Sequence, residues 1–196
     1  RSLRQLKQYE GSMLVASTGL GKTVVAVNVA IQLREQNIIS NVIVIGPKAV
    51  KNNWEDELWE AGLSYQYFIR QMFDKVDASQ DKNLDRFERV KDLAQQQKPL
   101  LIIDESQEFR NRYKPDIGYP KKDRTERLAF QRLRDFCRTG NLKVLLLTGS
   151  PYAKELENIN NQLFLLPHTA PSQGLFPELM DDAGAWKVND TEEFIK

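Results

Sequence analysis

The sequence predicts an α/β domain built on a mostly parallel sheet with helices on both faces. Three observations predict it. First, Asn41–Gly46, Pro99–Asp104 and Lys143–Thr148 are short, nearly continuous apolar runs, the pattern of strands covered on both sides. Second, apolar residues recur at helical spacing between these runs, so strands and helices alternate along the chain. Third, a glycine-containing loop, Ala16-Ser17-Thr18-Gly19-Leu20-Gly21-Lys22-Thr23, joins the apolar Met13-Leu14-Val15 to an apolar helix-like run.

Taken in order, the polar segment Arg1–Glu10 leads into a strand around Ser12–Ala16. A helix over about Lys22–Gln36 carries Val24, Val25, Ala26, Val27, Val29, Ala30 and Ile31. A helix apolar on most faces is a buried one, so this helix is expected to lie against the sheet. Pro47 stops the Asn41–Gly46 strand, and a helical stretch with Trp54, Leu58 and Trp59 follows. Both tryptophans are read as core packing. Tyr65–Ile69 reads as a strand, and Asp74–Asp81 as a polar loop. Leu84, Phe87, Val90 and Ala94 stand at helical spacing. After the Pro99–Asp104 strand, a helix over about Thr125–Thr139 turns Leu128, Leu133 and Phe136 inward. Beyond Lys143–Thr148, the residues Leu156, Ile159, Leu163 and Phe164 mark a last amphipathic helix. Pro171, Gly174 and Pro177 break the pattern after Pro167.

The 196 residues suffice for one large domain with a single core. No apolar run approaches the ~18 residues of a membrane span, so no membrane partner is expected. One cysteine, Cys137, and one histidine, His168, exclude an intrachain disulfide and a zinc site of the common kind. Cys137 reads as a small buried hydrophobe, and His168 is given no catalytic role. No signal peptide is legible and the chain begins with Arg1. It therefore reads as part of a longer protein of an intracellular compartment, cytoplasmic or associated with the nucleoid or nucleus. The net charge of +1 gives no global basic field, but residues 110–138 hold ten Lys/Arg against four Asp/Glu. With Tyr113 and Tyr119 nearby, this segment reads either as a loop touching a phosphate backbone or as a solvated loop and helix face.

The glycine loop carries the clearest chemistry. Glycine lets the backbone turn tightly enough to aim several N–H groups at phosphate oxygens. The helix after it starts with its positive dipole end facing the anion. Lys22 can reach the β and γ phosphates, and the Thr23 hydroxyl can ligate Mg²⁺. Residues Ala16 to Thr23 are thus the candidate ATP-binding loop, with ATP and Mg²⁺ as cofactors. Asp104-Glu105 closes an apolar strand 82 positions after Lys22. There Asp104 would hold Mg²⁺ opposite Thr23, and Glu105 would orient and polarise the attacking water. Ligands of parallel sheets bind beyond the carboxyl ends of the strands, where the loop, Pro47, Asp104-Glu105 and Thr148-Gly149-Ser150 all fall.

The order of these motifs resembles the first RecA-like domain of superfamily-two helicases and translocases, most of all the Swi/Snf family. Ala16-x-x-Gly19-x-Gly21-Lys22-Thr23 is similar to that superfamily's motif I, whose leading residue is Ala. Asp104-Glu105-Ser106-Gln107 resembles the DEAD/DEAH-like motif II, and Phe109-Arg110-Asn111 its continuation. Leu147-Thr148-Gly149-Ser150-Pro151 resembles motif III, and Pro47, Asn53-Trp54 and Glu57 match the motif Ia spacing. The family usually carries His where Gln107 stands and Asn where Lys154 stands.

The resemblance implies a P-loop NTPase with a RecA-like three-layer α/β/α sandwich over residues 12–167. Residues 1–11 would be a lead-in, and 168–196 an extension towards a second RecA-like domain. It implies a nucleic-acid partner, double-stranded DNA first, with Pro47 and Lys48 near its backbone. Thr148, Gly149 and Ser150 would couple hydrolysis to movement, and Gln107 would bond towards Thr148 or Ser150 beside the catalytic Lys22, Asp104 and Glu105. The implied function is the ATP-binding half of a DNA translocase or helicase-like motor, nearly inactive without the second domain. Three alternatives stand beside it: the motor domain of a restriction or phage-defence complex, a non-motor nucleotide-binding scaffold, and a P-loop ATPase unrelated to nucleic acid.

Overall fold

A computed structural model describes residues 2–17, 19–74, 87–92, 94, 97–109, 121–138, 141–151, 157–163 and 165–167. Five strands, β1 (Gly11–Val15), β2 (Val42–Gly46), β3 (Tyr65–Ile69), β4 (Leu100–Ile103) and β5 (Lys143–Thr148), form one sheet in the order β1-β5-β4-β2-β3. Every pairing is parallel. The helices are α1 (Ser2–Tyr9), α2 (Lys22–Glu35), α3 (Lys51–Glu60), α4 over residues 87–92, α5 (Lys121–Cys137) and α6 (Glu157–Leu163).

Alternation along the strands sorts the core into two layers, because successive side chains point to opposite faces. Val42, Val44, Leu100, Ile102, Leu145 and Leu147 pack with α1, α2 and α3 through Leu6, Ala30, Leu33, Trp54 and Leu58. Ile43, Ile45, Leu101, Ile103, Val144 and Leu146 pack on the other face with Phe87, Val90, Phe130, Leu133 and Phe136. That second layer has an aromatic centre. The Phe87 ring meets Phe68, Phe73 and Phe136 edge to face, at centroid distances of 5.3, 4.8 and 4.9 Å. Edge-to-face pairs align the positive ring edge with a negative ring face and add to the burial energy.

Helix ends follow their residues. After α2, Asn37 takes the left-handed conformation, and the Ile38 N–H closes on the Leu33 carbonyl at 2.9 Å. Gly62 does the same after α3, with the Leu63 N–H on the Leu58 carbonyl at 3.0 Å. Both capture carbonyls that the helix would otherwise leave unpaired.

Three expectations need correcting. Residues 2–9, read as a polar lead-in, form α1; Leu6 is buried and Ser12 Oγ donates to Gln5 Oε1 at 2.8 Å. Val24 and Val25 are exposed, because the inward stripe of α2 runs through Lys22, Ala26, Val29, Ala30 and Leu33. Trp59 is 79% exposed. It follows Leu58 by one residue, a rotation of about 100° away from the buried Trp54–Leu58 stripe. Ile159 is half-buried and Leu163 packs on the second layer, while Cys137 is buried on α5. Leu84, the basic loop of residues 110–120, the Leu128 side chain, Lys154, Leu156, Phe164 and His168 lie outside the described residues.

Candidate nucleotide site

The strand register brings the candidate residues to one sheet edge. Val15 of β1 pairs with Thr148 of β5, and Ile103 of β4 pairs with both Leu146 and Ile45. The residues that follow these ends are therefore neighbours. The Ala16 N–H donates to the Thr148 carbonyl at 3.1 Å, and the Asp104 N–H to the Ile45 carbonyl at 2.8 Å.

Ser17, Gly19 and Leu20 are exposed, and Thr18 lies outside the described residues. Gly19 and Gly21 both have positive φ, 82° and 73°. A Cβ at either would meet nothing within 4 Å, so conformation rather than crowding is what calls for glycine there. Gly21 is the N-cap of α2 and, as a glycine, makes no side-chain cap bond to the first N–H groups of the helix. Lys22, in the first turn of α2, is 9% exposed. Its Nζ donates to the Ala16 carbonyl at 3.2 Å and stands 3.8 Å from Glu105 Oε1. Thr23 follows it, half-buried.

Asp104 and Glu105 leave β4 in a turn. Asp104 is buried, and its carboxylate takes two donors: Trp54 Nε1–H on Oδ2 at 2.9 Å and the Glu105 N–H on Oδ1 at 3.0 Å. Burial pushes its pKa above the ordinary carboxylate value, and the Trp54 hydrogen bond works in the opposite direction. Glu105 has φ 52°, a left-handed conformation that a side chain of its size seldom adopts. It stands between the Lys22 ammonium and Gln107. Gln107 Nε2 donates to Glu105 Oε2, and the Thr148 hydroxyl donates to Gln107 Oε1. The Ser150 N–H in turn donates to Thr148 Oγ at 3.2 Å. A continuous hydrogen-bond chain thus runs from Ser150 through Thr148 and Gln107 to Glu105, with every donor pointing the same way along it.

Of the remaining candidates, Gly149 is half-buried on this edge, Pro47 follows β2, and Lys48 is exposed on the short 3₁₀ turn Lys48–Val50. Three partners escaped the sequence reading. The Tyr67 hydroxyl donates to the Pro47 carbonyl at 2.7 Å. Ser106 Oγ donates to Gln162 Oε1 and Gln162 Nε2 to the Pro151 carbonyl, each at 2.8 Å. The third is the Trp54 bond to Asp104. A polar residue inside an apolar stripe was the available signal: Gln162 between Ile159 and Leu163, and Tyr67 beside Phe68.

The residues fit a magnesium nucleotide. The left-handed glycines, the start of α2 and the buried Lys22, which meets the Ala16 carbonyl and lies 3.8 Å from Glu105, have the chemistry of a phosphate receptor. Among the described residues no group of three or more His, Cys, Asp and Glu could hold a metal by itself. Mg²⁺ in nucleotide sites is held by one or two protein ligands together with phosphates and water, and Thr23 and Asp104 would supply the protein's share.

Fold and site together define a P-loop ATPase domain, an α/β sandwich of RecA-like architecture. The family model described as "AAA domain" matches residues 7–157, and the chain belongs to that family. Among curated proteins none matches it. Solved structures share the fold, among them two of a Sulfolobus solfataricus protein. One is the Sulfolobus solfataricus SWI2/SNF2 ATPase core in complex with dsDNA, at 18% identity and TM-score 0.56, with 84% of this chain and 33% of that chain covered. The other is the Sulfolobus solfataricus SWI2/SNF2 ATPase core domain, at 20% identity and TM-score 0.53, with 84% and 32% covered. The chain spans about a third of the length of these two chains. Among the described residues no helix is long and apolar enough to cross a membrane.

Proposed function

We propose that this chain is the ATP-binding half of an ATP-dependent motor that moves on nucleic acid, with duplex DNA as its track. The observation that carries the proposal is the hydrogen-bond chain Ser150–Thr148–Gln107–Glu105, ending 3.8 Å from Lys22. A P-loop ATPase without mechanical output needs the lysine and the carboxylates. It has less use for a wire leading from the water-activating glutamate to a neighbouring strand end. The dsDNA in one of the solved structures that share this fold supports the choice of track.

In this reading Mg·ATP supplies the reacting γ-phosphate and a cation that offsets its charge. The chain's residues do the positioning. Backbone N–H groups of residues 16–23 hold the phosphates, and Lys22 exchanges the Ala16 carbonyl for phosphate oxygens. Thr23 and Asp104 hold the cation. Glu105 accepts a hydrogen bond from the attacking water and orients it. Gln107 fixes the second carboxylate oxygen of Glu105, so a displacement of Thr148-Gly149-Ser150 alters how Glu105 faces the water. Pro47 and Lys48 would meet the nucleic-acid backbone, Lys48 as an exposed point charge. Residues 12–167 would form the first RecA-like domain. Residues 168–196 would lead towards a second one, whose arginine stabilises the transition state, a contribution of roughly 10³–10⁵ in rate in related enzymes. The isolated chain is then a weak ATPase, and its setting is intracellular, where ATP and DNA are found.

Hydrolysis rates measured with duplex DNA, single-stranded DNA or RNA added separately test the proposal, on the protein paired with its second domain. Stimulation by duplex DNA, with Glu105→Gln slower by about 10²- to 10⁴-fold, is the expected result. Rates indifferent to every nucleic acid would sink the motor and leave a nucleotide-binding scaffold.

A further inference from the structure

Trp54 is fully buried in the layer between the sheet and α3, yet its indole N–H is not spent on a backbone carbonyl. It donates to Asp104 Oδ2 at 2.9 Å, across 50 residues of sequence. The other oxygen, Oδ1, takes the Glu105 N–H at 3.0 Å. Two donors from two different elements thus set the plane of this carboxylate. A carboxylate offers about four lone-pair sites, so two remain for a cation or its water. Partners that orient a metal-binding carboxylate from behind commonly matter for metal affinity almost as much as the ligand itself.

The same helix connects to the other candidate segment. Lys51, the first residue of α3, directly follows the 3₁₀ turn Lys48–Val50. That turn hangs from Pro47, whose carbonyl is held by the Tyr67 hydroxyl. Gly46 makes the arrangement possible: a Cβ there would lie 2.6 Å from the Tyr67 hydroxyl oxygen and 3.3 Å from the Asp104 Cβ. The end of β2, the Lys48 turn, α3 and the Asp104 carboxylate are therefore one packed unit.

We propose that Trp54 is a positioning residue: its indole N–H fixes the Asp104 carboxylate for the divalent cation and ties that carboxylate to the placement of α3 and the Lys48 turn. The inference rests on the proposed Mg·nucleotide site and extends it to a group outside the phosphate loop. A ring that only filled space would be replaced by phenylalanine at no cost to the cation.

Trp54→Phe in the full chain, titrated with Mg²⁺ while a fluorescent ADP analogue reports binding, separates the two roles. The expected result is a cation requirement raised about 10- to 100-fold, with little change in the nucleotide binding that survives in chelator. An unchanged Mg²⁺ titration overturns the inference and leaves the nucleotide site standing. A parent chain that binds no nucleotide in a Mg²⁺-dependent way overturns both. Should Trp54→Phe fail to fold, Trp59→Phe with Trp186→Phe leaves Trp54 as the sole tryptophan of the chain. Its emission should change when Mg²⁺ is added with ADP, and Asp104→Ala should abolish the change. Emission that ignores Mg²⁺ also overturns the inference.

Discussion

Several single residues in this chain have their identity dictated by the space or the conformation around them. Gly46 is such a position, because any side chain must displace the Tyr67 hydroxyl 2.6 Å away. Gly46→Ala should cost about 1–3 kcal/mol in urea denaturation. Tyr67→Phe removes the obstructing oxygen, so the double variant should lose less than the two single losses added together. Gly21 is dictated by conformation instead, since φ is 73° and the surrounding space is open. Gly21→Ala should cost about 1–2 kcal/mol through strain alone, read as a lower Tm. Asp104 carries an electrostatic penalty. Burial raises its pKa in the folded protein, so the native state holds its proton more tightly than the unfolded chain does. Its contribution to stability is then fullest below the ordinary carboxylate pKa, 3.8 here, and is lost as pH rises through the raised value. Asp104→Asn should remove this pH dependence, so its Tm relative to the parent free of Mg²⁺ and nucleotide should rise as pH goes from 4 to 7. The amide leaves one of the two N–H donors on Asp104 unmatched, a cost that applies at every pH. The sequence marked Gly21 and Asp104 by their motifs, but not Gly46, whose constraint comes from a tyrosine on the next strand.

Elements were legible where a local pattern decides them. The buried strands β2, β4 and β5 announce themselves as apolar runs, since a strand covered on both faces has no polar side. Helix α1 was not legible as such: eight residues with few apolar positions give little periodicity, and tertiary packing of Leu6 stabilises it. The exposure of Val24, Val25 and Trp59 was hidden for a related reason. Composition says how apolar a helix is, whereas only its neighbours say which arc of it is covered. The aromatic layer on the α4–α5 side offers an element-scale test. Phe87 sits among three other rings and is 1% exposed, so Phe87→Ala should cost about 3–5 kcal/mol in urea denaturation. The same truncation at Trp59, in the open, should change stability by less than about 0.5 kcal/mol.

At the scale of the whole molecule, sequence foretold that the polar candidates share one edge of the sheet, because parallel strands carry their loops to the same end. Strand order was beyond it. The placement of β5 between β1 and β4 is what lets Thr148 reach Gln107 while Ala16 holds the Thr148 carbonyl. Nothing local in Lys143–Thr148 encodes that neighbourhood. The result is a loop, a lysine, two carboxylates and a glutamine brought together from segments far apart in the chain, the set to which the proposed function assigns a magnesium nucleotide. Calorimetric titration of the chain with ATP, with and without Mg²⁺, tests that assembly most directly when paired with Lys22→Ala. Binding that strengthens with Mg²⁺ and falls at least about tenfold in Lys22→Ala is the result this site requires. No binding, or binding that ignores both the cation and the lysine, would contradict it.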